Sequence, residues 1–135
     1  MPLPTGNQEN SQSVRVLLVD DQKEVLHVMQ LILMRQHNYC VETALSGQEA
    51  LEKAESFLPD VVVSDITMLE MDGCELMTQM RAKEYLNPFK SIALSGYGGD
   101  HHELSLAAGY DVHLVKPVDY DNLTSIIDQL AQENV

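Results

Sequence analysis

Residues 61–65 read VVVSD, an unbroken β-branched run closed by a serine and an aspartate. Such a run is typical of a strand covered on both faces, as strands are in a parallel sheet with helices on each side. The flanking sequence alternates as that sheet requires. VRVLLV (14–19) is a second β run, CVETA (40–44) is a short strand, and SIALS (91–95) and DVHLV (111–115) are two more. Between the first two, EVLHVMQLILMRQ (24–36) places Val25, Val28, Met29, Ile32 and Leu33 at helical spacing. GQEALEKAESF (47–57) is a helix for which Ser46 fits the N-cap, with Glu49 as its capping-box partner. Further helices are predicted at about 73–84, 100–108 and 120–131. Strands alternating with helices through short connections give an α/β fold built on one parallel sheet.

Composition bounds what this domain can do. The 135 residues, 44% of them hydrophobic, suffice for one core. Eight Lys and Arg against 21 Asp and Glu leave a formal charge of −13. That balance argues against nucleic-acid binding through phosphate contacts and leaves proteins or cations as partners. Cys40 and Cys74 form no CxxC pair, so neither a zinc site nor a disulfide framework is signalled, and both are read as buried thiols in a reducing cytoplasm. Residues 1–13, MPLPTGNQENSQS, are aperiodic and polar and are read as a disordered leader; the domain then runs over 14–131, with 132–135 as a tail. No apolar run approaches the roughly 18 residues that a membrane span needs, so a cytoplasmic protein without membrane contact is expected. Only QENV follows residue 131, and no effector domain is expected after it.

In doubly wound sheets, ligands bind beyond the carboxyl ends of the strands, where the strand order reverses. Those ends carry Asp20 and Asp21, Asp65, Ser95, and Lys116 followed by Pro117. Three converging carboxylates raise one another's pKa, and a divalent cation resolves the repulsion. Oxygen donors in a small hydrated site favour Mg²⁺, which often also binds a phosphate oxygen. A phosphoryl group there would find an ammonium and a hydroxyl for its remaining oxygens. Asp65, alone at the end of the central strand, is placed to be the nucleophile.

Four segments, LLVDDQ (17–22), VVVSDITMLEMDG (61–73), ALSGYG (93–98) and HLVKPVD (113–119), resemble the signature segments of the response-regulator receiver domain of two-component signalling. The resemblance spans about residues 14–131, and the last two segments are most similar to receivers of hybrid sensor kinases and to stand-alone receivers. It implies a single-domain flavodoxin-like (βα)5 fold with strand order 2-1-3-4-5. It further implies that Asp65 is the phospho-acceptor, that Asp21 binds Mg²⁺ directly with Asp20 assisting, and that the Thr67 backbone carbonyl completes the protein's ligands. Ser95 matches the hydroxyl that meets the phosphoryl group in the active state, and Lys116 the lysine that pairs with it. The Lys116–Pro117 bond is then expected to be cis. The phosphoryl donor would be a sensor histidine kinase or a histidine phosphotransfer protein. The output would be a protein target met through the surface of the fourth helix, fifth strand and fifth helix. Such a chain is a signal receiver that supports its own phosphorylation, not an enzyme with a separate substrate.

Two positions depart from the family pattern. His113 stands where many members have an aromatic switch residue on the fifth strand, and both a switching and a non-switching histidine fit. Leu69 stands where a proline is usual, which leaves the loop after Asp65 less preorganised. Thr67 and Tyr97, two positions after Asp65 and Ser95, offer no acid or amide to position an attacking water, so slow self-dephosphorylation is expected. Gly73 fits the turn into the third helix.

Other readings remain beside this one. An aspartyl-nucleophile phosphatase would want an acid where Thr67 stands, a flavin-binding module a phosphate loop where DDQKE stands, and a phosphorylation-independent interaction module needs none of the rim residues. His101 and His102 read as exposed polar residues, His27 and His37 as solvated or packed, and the methionines, among them Met29, Met34, Met77 and Met80, as core fillers.

Overall fold

A computed structural model describes residues 13–36, 38–96 and 101–133. Five parallel strands, β1 (Val14–Val19), β2 (Tyr39–Ala44), β3 (Val61–Asp65), β4 (Lys90–Ser95) and β5 (Val112–Val115), form one sheet in the order β2-β1-β3-β4-β5. The helices are α1 (Lys23–Leu33), α2 (Gly47–Phe57), α3 (Gly73–Arg81), α4 (His101–Ala108) and α5 (Tyr120–Glu133), with a 3₁₀ turn at Glu84–Leu86. This is the flavodoxin-like (βα)5 architecture, with the order reversing between β1 and β3.

Alternation along the strands divides the interior in two. Leu17, Val19, Val62 and Ala93 face one side, where Ala50, Leu51 and Ala54 of α2 and Leu76, Met77 and Met80 of α3 cover them. Val16, Leu18, Val61, Val63, Ile92 and Leu94 face the other, under Leu26, Met29 and Leu33 of α1 and Leu123, Ile127 and Leu130 of α5. The central run of valines is apolar throughout because both of its faces are covered.

Several boundaries fall short of the sequence reading, each for a local reason. α1 stops at Leu33, not 36, because the Arg35 and Gln36 amides bond three residues back, to Ile32 and Leu33, and tighten the last turn. Its buried stripe is Leu26, Met29 and Leu33, while Val28 faces solvent. α3 stops at Arg81, not 84, where the Asn87 amide donates to the carbonyls of Arg81 and Lys83 and ends the helix. Only half of the expected capping box at Ser46 forms. The Ser46 hydroxyl accepts from the Glu49 N–H (3.0 Å), but Glu49 reaches past it to the Leu45 N–H (2.6 Å). The full box is at Asp72 and Glu75, opening α3.

The thiols correct another expectation. Cys40 is exposed, near the start of the edge strand β2 and in register with Arg15, and Cys74 is only half-buried. Met29, Met77 and Met80 fill core as expected, whereas Met34, just past α1, is exposed.

Candidate functional site

The strands deliver their carboxyl ends to one rim. β1 leads into Asp20 and Asp21, and β3 ends in Asp65; one carboxylate oxygen from each lies within 4.8 Å of the others. Asp20 and Asp65 are buried, at 1% and 6% exposure, so their charges are poorly solvated. Lys116 follows β5; its backbone N–H donates to the Ser95 carbonyl, and its peptide bond to Pro117 is cis. Its ammonium donates to Asp65 Oδ2 at 3.0 Å and stands 3.7 Å from Asp20 Oδ2, beyond hydrogen-bond distance.

Backbone donors hold the three carboxylates. The Gln22 N–H donates to Asp20 Oδ1 (2.8 Å), the Thr67 N–H to Asp65 Oδ1 (3.2 Å) and the Leu69 N–H to Asp21 Oδ2 (3.1 Å). The Leu69 contact gives the family departure a physical meaning, because proline has no N–H to offer there. Beside it, Glu70 has a φ of +65°. Gly73 closes the loop: a Cβ on it would lie 2.6 Å from the Asp65 carbonyl oxygen and 2.7 Å from Ile66 Cα. Only glycine lets α3 start this close to the end of β3.

The electrostatics follow from this packing. Burial pushes the Asp20 carboxyl above its ordinary range, and the charges of Asp65 and Asp21 push the same way, against the Gln22 N–H and Lys116. For Lys116, burial works to lower the ammonium's pKa, but the hydrogen bond to Asp65 and the charges of Asp65 and Asp20 outweigh it and carry it upward. Asp20 Oδ2 is buried and, among the described residues, has no hydrogen-bond donor. A buried anionic oxygen without a donor costs free energy, which the Lys116 ammonium 3.7 Å away offsets in part and a directly bound cation would offset further. Three oxygen donors with such an atom among them fit a hard divalent ion such as Mg²⁺.

Ser95 is differently engaged. Its hydroxyl, 1% exposed, shares a 2.6 Å hydrogen bond with His113 Nε2. His113 Nδ1 in turn lies 3.2 Å from His102 Nδ1. Thus the fold brings together Asp20, Asp21, Asp65 and Lys116, while the Ser95 side chain bonds to β5. What Thr67 offers Asp65 is its N–H. Tyr97 and His37 lie outside the described residues. The sequence reading missed the Gln22 and Leu69 donors, which are backbone groups that no residue type announces. His102 is exposed, as read, but its contact with His113, eleven residues away, was missed.

The model of the response regulator receiver domain matches residues 16–128. The chain belongs to this family. Among its relatives, the alkaline phosphatase synthesis transcriptional regulatory protein PhoP of Bacillus subtilis is 34% identical over 103 residues, covering 76% of this chain and 42% of PhoP. This receiver therefore spans less than half of that relative's length. A CheY-like response regulator receiver domain protein from Methanospirillum hungatei superposes with a TM-score of 0.80 at 31% identity, covering 90% of this chain and 96% of its own. The signal receiver domain of a signal transduction histidine kinase from Syntrophus aciditrophicus gives 0.82 at 26% identity, with 90% and 92% covered. No helix among the described residues of the receiver is long and apolar enough to cross a membrane.

Proposed function

We propose that this receiver takes a phosphoryl group onto Asp65 from a phosphohistidine on a sensor kinase or phosphotransfer protein. The observation that carries the reading is the rim itself: three carboxylates at one point, two of them buried, Lys116 bound to Asp65, and one Asp20 oxygen with no hydrogen-bond donor among the described residues. Asp20, Asp21, Asp65 and the Thr67 carbonyl would hold Mg²⁺. When bound, the ion neutralises charge on the acceptor and on the incoming phosphoryl oxygens.

An Asp65 carboxylate oxygen forms the new O–P bond as the P–N bond to the donor imidazole breaks, and the bonding pair leaves with the imidazole, which takes up a proton. Lys116, kept cationic by its two aspartates, carries the phosphoryl charge that Asp65 gains. Ser95 leaves His113 to give its hydroxyl to a phosphoryl oxygen, and the adjoining loop and α4 follow. The output is a protein contact through α4, β5 and α5, where Leu104, Leu106 and Val115 already stand exposed. With Thr67 offering no acid or amide, the aspartyl phosphate is long-lived; a lifetime of seconds would overturn that part. A phosphatase reading is weaker for the same reason.

Intact-protein mass spectrometry after incubation with acetyl phosphate tests the proposal. A gain of about 80 Da that needs both Mg²⁺ and Asp65, and is absent in Asp65→Asn, is expected. No gain under any condition would overturn it in favour of a phosphorylation-independent interaction module.

A further inference from the structure

Outside the acidic rim, the described residues hold one pair of facing imidazoles. His113 sits on β5 in register with Ala93 of β4, so its backbone is fixed by the sheet. His102 lies in the first turn of α4 and is exposed. The two rings meet through the same atom, in a hydrogen bond from one Nδ1 to the other at 3.2 Å, with centroids 5.2 Å apart and planes tilted by 53°; an ion held there would take the place of the shared proton. Stacked rings would put their faces together; here the nitrogens converge.

We propose that His102 and His113 form a second cation site, for a borderline divalent ion of the zinc class, bound through the two Nδ1 atoms. Two nitrogens at their usual length from a tetrahedral ion stand roughly 3.3 Å apart, so the observed separation needs almost no change. Metal-bound imidazoles characteristically place their other ring nitrogen on a fixed partner, which sets the tautomer and aims the ligand. The buried Ser95 hydroxyl does this for His113 Nε2 at 2.6 Å. With the ion on Nδ1, the Nε2 carries the proton and Ser95 accepts. His102 is exposed, so solvent reaches the pair. Imidazole nitrogens suit zinc and are poor ligands for Mg²⁺, so Mg²⁺ that fills the acidic rim does not compete for the histidine pair. The net charge of −13 concentrates cations of either kind around the chain.

Titration calorimetry with zinc chloride, in saturating Mg²⁺ so that the acidic rim is occupied, tests the site. One zinc per chain is expected for the wild type and for His27→Ala, whose histidine lies on α1. Affinity should fall at least tenfold in His102→Ala, an exposed position that should leave the metal-free melting temperature unchanged. Ser95→Ala, which keeps both ligands but loses the partner that orients one, should weaken zinc on the order of 10-fold or more. Absence of zinc binding in the wild type, or equal binding in His102→Ala, would overturn the site. Unchanged affinity in Ser95→Ala would overturn the orienting role given to the serine.

Discussion

At the scale of single residues, Gly73 and Asp20 answer to replacement in opposite directions. Gly73→Ala would drive a methyl into the backbone of Asp65 and Ile66, neither of which can yield as a side-chain tip can. A loss of about 2–3 kcal/mol in denaturant-determined stability is expected, together with slower acetyl-phosphate labelling of Asp65. Asp20 makes a different prediction. Its folded-state pKa lies above its unfolded value, so its contribution to stability is best at low pH and declines as pH rises through the folded pKa. Metal-free Asp20→Asn, which can still accept from the Gln22 N–H, should therefore melt above the wild type at pH 7. The gap should close on acidification, as the wild type takes up its proton, and added Mg²⁺ should reverse the order; melting curves across pH with and without Mg²⁺ check all three. The gathering of Asp20, Asp21, Asp65 and Lys116 was legible because each follows an apolar run, whereas the Ser95 side chain, read with them, bonds to His113. The hydrogen bond from Leu69 to Asp21 was not legible, since a backbone N–H carries no letter in the sequence.

Among the elements, one arginine ties together what the strand pattern leaves loose. Arg81, at the end of α3, donates to the carbonyls of Phe89 and Gly109, to Asn87 and Ser91, and to Asp111, and its guanidinium lies 3.9 Å over the Phe89 ring. It thus joins α3, the start of β4 and the turn into β5. Arg81→Ala takes from the Asn87 side-chain oxygen and the Phe89 carbonyl the donor that Arg81 gives them, and a destabilisation of about 2–4 kcal/mol is expected in urea unfolding. Arg81→Lys should recover little of it, because an ammonium cannot span the same fork of partners. Strands were read to within a residue, since β-branched runs have sharp ends. Helix ends were read less well. At Gln36 and Arg81 the chain keeps its apolar spacing while the hydrogen bonds change, and spacing cannot report that change. The strand order came with the family resemblance; alternation alone says that the sheet is parallel, not which strand lies at its centre.

For the whole molecule, the two cores share the three central strands, and this sharing makes unfolding of the sheet a single event. The helices are bound to it unequally. α1 and α5 each place three residues in the core, whereas α4 buries Ser105 and leaves Leu104 and Leu106 in water. Native-state hydrogen exchange should therefore show amides of β1, β3 and β4 opening only with global unfolding and those of α4 opening far sooner. Uniform protection across all five helices would contradict this. α4 is the helix that follows Ser95 in the chain, so on the proposed function a small free energy supplied at the rim would have only a small cost to overcome there. What thermodynamics would lend this receiver is a soft spot beside a hard frame: the same poverty of burial that is expected to let α4 open first would, on the proposed function, make it the element that a single added charge moves.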